Sequence, residues 1–168
     1  TPGACSRWLR EAEPDAAPVV SVMTEPACTS KSQTFWQVAL LHEKLATALA
    51  YMDHWQESAQ EREHALALRR QLGDPAMISE NLRWWSTCLW RLCRGEEHVR
   101  AAREALAVVA DLPPSPQRAW AHASYAASLA DRGVGAEAMA MADEALRQAA
   151  ALGCHDVSAY ALSTRGSL

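Results

Sequence analysis

One short motif returns at a fixed interval along this chain. Ala65-Leu66 reappears as Ala105-Leu106 and as Ala145-Leu146, each 40 residues after the last. In the same register, Leu72-Gly73 returns as Leu112-Pro113 and Leu152-Gly153. A small residue followed by a large apolar one, three times at one period, points to a stack of similar units. Each unit can bury its apolar face only against its neighbours.

Within each unit the apolar spacing is helical. Val38, Leu41, Leu45, Ala48, Leu49 and Met52 predict a helix over 35–51. Asp53-His54-Trp55 makes a turn, and 57–72 is a second helix, closed by Gly73 in the left-handed conformation. Asp74-Pro75 supplies a cap and a first-turn proline for a third helix over 75–93. Arg94-Gly95 turns the chain into a fourth over 96–112, and Pro113-Pro114-Ser115-Pro116 breaks it. A fifth runs over 116–132, Gly133-Val134-Gly135 turns, a sixth runs over 136–152, and a seventh starts at 156.

The fold class expected is therefore all-α: a solenoid of three helical hairpins plus a truncated fourth, with units about 34–73, 74–113, 114–153 and a partial 154–168. The partial unit leaves Tyr160, Leu162 and Leu168 short of cover. It predicts that the array continues, and it makes the uncapped C-terminal end a surface for self-association. Residues 1–33 hold Pro2, Pro14, Pro18 and Pro26 and no copy of the repeat. They are expected to be an irregular leader or the end of an upstream segment, with one short helix over 6–13.

A net charge of -4 and a pI near 5.8 give no basis for nucleic-acid binding, which needs a basic face. No run is long and apolar enough to span a membrane, and no signal peptide is visible. The five cysteines are odd in number and include no C-x-x-C, so neither a disulfide framework nor a zinc site is indicated. Free thiols fit a reducing, cytoplasmic setting. The 14 arginines against two lysines, with abundant alanine, fit a GC-rich bacterial genome.

The paired helices resemble tetratricopeptide repeats (TPR). Tyr125-Ala126, Leu129, Gly133, Ala138 and Ala145-Leu146 match that pattern best. Trp85-Ser86, Leu89, Cys93, His98 and Ala105-Leu106 follow it 40 residues earlier, and Leu45-Ala46, Leu49, Asp53, Ser58 and Ala65-Leu66 another 40 before. His98 and Ser58 stand where the family has Ala, Asp53 and Cys93 where it has Gly, and the period exceeds the family's usual length. From Ala65 onward the chain also resembles the helical-repeat region of large bacterial ATP-binding transcriptional regulators of the LuxR family. That resemblance implies a protein-interaction or effector-sensing module placed between nucleotide-binding and DNA-binding domains. No G-x-x-x-x-G-K-[ST] and no helix-turn-helix occurs here, so neither activity carries over.

In such a solenoid the first helix of each pair lines a concave groove. Glu80, Arg83, Trp84, Thr87, Trp90 and Arg91 fall on that side of the third helix, and Trp120 matches Glu80 in the next unit. Flat aromatics beside arginine suit a protein or peptide partner, or a small effector. Trp85 is expected in the core. Arg83, Arg91, Arg94, Arg100 and Arg103 are expected to be balanced by Glu80, Glu96, Glu97 and Glu104, with Arg100–Glu104 an i,i+4 pair. Arg69 and Arg70 are expected on the convex or edge side. His122 is expected to be partly buried, and His64, His98 and His155 at the surface or an edge. His54 with Glu57, and His42 beside Glu43, gather no further ligand in sequence, so no metal and no cofactor is expected.

No nucleophile motif is present, and the expectation is not an enzyme. Two other functional readings use the same residues. A free-standing TPR adaptor would lack the regulator's flanking domains. A helical ligand-binding or enzyme-associated module would show a deep polar pocket with two or more converging titratable groups.

Overall fold

The structure, a computed structural model, describes residues 30–168. The leader, its expected helix over 6–13, Cys5 and Cys28 lie outside the described residues. Those described form seven α-helices and no strands: α1 (Ser30–Tyr51), α2 (Trp55–Leu72), α3 (Pro75–Arg91), α4 (Gly95–Val109), α5 (Pro116–Ala130), α6 (Gly135–Leu152) and α7 (His155–Gly166). The chain is all-α over this range.

The helix ends follow from local chemistry. Asp74 accepts hydrogen bonds from the amides of Ala76 and Met77 at 3.1 and 3.2 Å, and Ser115 accepts from Arg118 N at 3.2 Å. Each sits just before a proline that needs no donor in the first turn. Between paired helices the chain turns through a left-handed residue: Asp53 (φ 65°), Cys93 (φ 57°) and Gly133 (φ 72°), spaced 40 apart. In each turn the next amide reaches back five residues. His54 N donates to Leu49 O at 2.9 Å, Arg94 N to Leu89 O at 2.9 Å, and Val134 N to Leu129 O at 3.0 Å. Cys93 holds this conformation with a Cβ attached, which costs about 1–2 kcal/mol.

Some boundaries differ from the sequence expectation. Helix α1 already includes residues 30–33, part of the stretch read as leader. Helix α4 ends at Val109, short of 112, because Pro113 has no amide to bond the Val109 carbonyl and its ring crowds that carbonyl.

Helices pack as α1 on α2, α3 on α4 and α5 on α6, and each pair joins the next through α2–α3, α4–α5 and α6–α7. Helices α3, α5 and α7 also touch in succession, so they form one row. The core is built from small groups. Of the 24 buried hydrophobic residues among those described, 16 are alanine. Ala46, Ser86 and Ala126, again 40 apart, are all buried. Ser58 and His98 occupy the position that Ala138 holds in the third pair, and each finds a partner on the neighbouring helix, while His98 Nε2 makes no hydrogen bond. Ser58 Oγ donates to Ala46 O at 2.8 Å, and His98 Nδ1 lies 3.0 Å from Ser86 O. His98 is thus buried, not at the surface as expected.

Arg69 corrects another expectation. It is fully buried rather than convex, and its Nε and Nη2 donate to the two carboxylate oxygens of Glu43 at 2.8 and 2.9 Å. Its guanidinium also stands 5.6 Å from the Trp36 ring centroid. A forked donor against a carboxylate is the arrangement that makes such burial tolerable. Arg70 is exposed and pairs with Glu104 at 2.5 Å, so Glu104 is held by α2 and the expected Arg100–Glu104 pair is not formed. Trp85 is part-buried and packs on the Leu66–Leu82–Ala105 cluster. Tyr160, Leu162 and Leu168 are exposed.

Candidate functional site

The row of α3, α5 and α7 opens onto a groove of about 480 Å³. Helix α3 supplies Arg83, Trp84, Thr87, Trp90 and Arg91, and α5 supplies Trp120, Ser124 and Ala127. Trp55 enters from the start of α2, His98 from α4, Asp131 from the end of α5 and Tyr160 from α7. A volume of this size, lined by aromatic rings and polar groups in about equal number, is in the range of small-ligand sites.

Six of the seven sequence-derived residues line this groove. The seventh, Glu80, faces the adjacent hollow of about 270 Å³, with Glu43, Thr47, Arg62 and Asn81. From there it orients two groove residues. Its Oε1 accepts from Arg83 Nη2 at 2.6 Å and from Trp84 Nε1 at 2.9 Å. The Arg83 guanidinium is held between two indoles, 4.4 Å from the Trp84 centroid and 4.7 Å from that of Trp120. Trp120 in turn contacts the Tyr160 ring at 5.5 Å. The result is a stacked series running through α3, α5 and α7. Cation–π contacts between partly desolvated groups are each worth about 1–2 kcal/mol, so this wall is pre-organised.

The other wall is more open. Arg91 stands 4.9 Å from the Trp55 centroid and 5.4 Å from that of Trp90. Arg91 is exposed and forms no ion pair among the described residues, and Trp90 is 48% exposed. This half of the groove offers a cation and a flat ring to whatever enters.

Beside Trp55 lies a smaller, mostly apolar hollow of about 180 Å³, lined by Thr47, Tyr51, Arg62, Trp84 and Cys88 among others. Arg62 is buried there, and burial lowers its pKa. It donates to Thr47 Oγ1 at 2.8 Å and to Asn81 Oδ1 at 3.4 Å. Burial likewise raises the Cys88 thiol, whose Sγ lies 3.3 Å from Ser58 Oγ. A thiol pushed towards its neutral form is a poor nucleophile.

One end of the groove brings a serine, a histidine and an aspartate into line. Ser86 Oγ lies 2.8 Å from His98 Nδ1, and His98 Nε2 lies 3.7 Å from Asp131 Oδ2. Nucleophilic catalysis needs the hydroxyl at the surface, facing a substrate. Ser86 is instead buried between α3 and α4, and its hydroxyl also bonds His98 O at 3.1 Å. The three groups seal a helix contact.

Burial lowers the pKa of His98 from the usual 6.5, with Ser86 and Asp131 opposing the shift. Burial also lowers that of His122, whose Nδ1 has no partner. The unfolded chain therefore takes up protons first as the pH falls, and stability drops below about pH 6.5, by at most about 1.4 kcal/mol per pH unit for each histidine. Thermal melts between pH 7.5 and pH 5.5 are expected to show a falling midpoint. The slope should flatten in His122→Gln. An equal slope in that variant would assign the loss to other groups.

Sequence reasoning missed Trp55, His98, Ser124, Asp131 and Tyr160 as groove residues. Three of these carried a usable signal. Ser124, Asp131 and Tyr160 lie one period after Trp84, Arg91 and Trp120. His98 occupies a repeat packing position, which points to the core and not to the groove. Trp55 had no such signal, since its place at the start of α2 depends on where the turn ends.

The packing of α1 on α2 also brings His42 to Glu61 and His64, a pair one turn apart on α2 and distant from His42 in sequence. No local sequence pattern pairs His42 with either of them.

No protein-family model matches the chain. No curated protein matches it either. The resemblance to tetratricopeptide repeats therefore rests on the residues and turns described above. Among the described residues no helix is long and apolar enough to cross a membrane.

Proposed function

We propose that this chain is a non-catalytic effector-sensing or protein-interaction module, built as a TPR-like solenoid, and that it serves a bacterial transcriptional regulator in the cytoplasm. The recurrence of the left-handed turns at Asp53, Cys93 and Gly133 and of buried small residues at Ala46, Ser86 and Ala126 supports the solenoid reading. The observation that carries the functional reading is the groove. Its walls come from α2, α3, α4, α5 and α7, so a single occupant contacts several helix pairs at once. A ligand that fits one arrangement of those pairs better than another shifts their equilibrium, and with it the state of any attached domain.

The open half of the groove selects for chemistry. Arg91 with Trp90 and Trp55 suits a flat or apolar group that carries a carboxylate, whether on a small effector or on a peptide side chain. The single carboxylate of Asp131 and the sealed Ser86 favour binding over reaction.

Calorimetric titration with a panel of aromatic carboxylates and short acidic amphipathic peptides tests this. A saturable partner is expected to lose affinity at least tenfold, about 1.4 kcal/mol, when Trp90→Ala and Arg91→Ala are combined. Both side chains are exposed, so the variant should fold. An unchanged affinity would remove the groove from consideration. The adaptor reading is separated by the gene itself, since a regulator must encode a helix-turn-helix in the same polypeptide.

A further inference from the structure

We propose that His42, Glu61 and His64 form a binding site for a divalent transition metal of the zinc class. Each offers one ligand atom, and these three atoms lie within 4.8 Å of one another. Glu61 and His64 are three apart on α2 and so share a face, and His42 meets them from α1. His42 lies in helical register with Ala39 and Ala46, both fully buried, so the packing that fixes those alanines also fixes the position of His42.

The separations are close to what a metal needs. Ligands about 2.0–2.2 Å from a tetrahedral zinc stand roughly 3.3–3.6 Å apart from each other. His42 Nδ1 and Glu61 Oε2 are already at 2.5 Å, in a hydrogen bond that a metal would replace. The His42 and His64 rings stand 5.3 Å apart at an interplanar angle of 58°. Tilted rings can aim their lone pairs at a common point, as parallel stacked rings cannot. His64 is exposed, so a change of its side-chain rotamer can close the remaining gap without moving a helix.

The donor set selects the ion. Two imidazoles with one carboxylate favour zinc, nickel, cobalt or copper, while magnesium and calcium prefer all-oxygen sites. Three protein ligands leave a fourth position to water or to another donor. The bare alternative is a His42–Glu61 hydrogen bond with His64 resting on it. That arrangement places two imidazoles together without using their lone pairs. A metal bound here would join α1 to α2 on a face separate from the aromatic groove, which none of the three residues lines.

The test uses the full chain, stripped with chelator and titrated with zinc chloride in a calorimeter, and with cobalt chloride in a spectrophotometer. One zinc per chain is expected at micromolar affinity, with a higher melting temperature and a visible cobalt d–d band. His64→Ala should weaken zinc at least about tenfold and remove the cobalt band. Cys93→Ser with Cys154→Ser should leave both intact. Glu61→Gln, which keeps a hydrogen bond to His42 but not the anionic ligand, should also weaken zinc. No saturable binding, or full binding in His64→Ala, overturns the proposal. The groove variant Trp90→Ala/Arg91→Ala should bind zinc normally, so failure of either proposal is seen independently of the other.

Discussion

Glu43→Ala is expected to destabilise the protein by about 3–5 kcal/mol, the largest single effect anticipated for a polar residue here. Arg69 has no exposed surface, and Glu43 supplies both acceptors of its forked contact. Deleting the carboxylate leaves a guanidinium buried with only the Trp36 face beside it. Arg69 Nη1 already lacks a partner, so the site has no spare acceptor to offer. In thermal unfolding the loss should lower the midpoint by roughly 10 °C or more. The compensating variant makes the test specific. Glu43→Leu combined with Arg69→Met removes both charges and keeps apolar volume, and should recover most of the stability. A single Glu43→Ala that costs under about 1 kcal/mol would mean water reaches Arg69 readily.

The second large effect is expected from Leu82→Ala, at about 2–5 kcal/mol. Leu82 is fully buried and centres a cluster with Leu66 and Ala105, against Ile78, Trp85 and Val108. Two things push the value up. Most other buried hydrophobic residues are alanines, which have no rotamers to swing into a void. The bulkier neighbours Leu66, Ile78, Trp85 and Val108 already pack on this one cluster, so filling the void would break contacts they now make. Urea unfolding of Leu82→Ala against Leu82→Met separates the cavity from mere change of shape, since the methionine variant keeps volume and should cost under about 1.5 kcal/mol. Similar losses for the two would mean that shape, not volume, governs this cluster.

The helices were legible because their punctuation is chemical. Asp74-Pro75, Ser115-Pro116, Gly73, Gly133 and Gly153 each do in the structure what their backbone preferences dictate. The groove face of α3 was legible from its period, since residues three and four apart share a side. Three kinds of residue were not. Arg69 reads as a surface residue because charge favours water, and only the packing of α1 on α2 reveals Glu43 as its partner. His98 reads as a surface residue for the same reason, and only its bond to the Ser86 carbonyl shows why it is tolerated inside. Glu61 and His64 reach His42 across a helix contact whose register no local pattern encodes. The missed groove residues Ser124, Asp131 and Tyr160 differ from these. They were encoded by the 40-residue period, and their chemical difference from Trp84, Arg91 and Trp120 concealed the equivalence.

The clustering of indoles has an optical consequence. Four of the six described tryptophans, Trp55, Trp84, Trp90 and Trp120, face one groove, while Trp85 is packed on the core and Trp36 stands near Arg69. Near-ultraviolet excitation therefore falls mostly on chromophores spaced closely enough to exchange energy. Their emission should be depolarised well beyond what tumbling explains, with Trp85 as a shielded blue-shifted reference. The folded chain carries its own dye at the place where an occupant would sit, and the polarisation of its emission reports how those helices stand relative to one another.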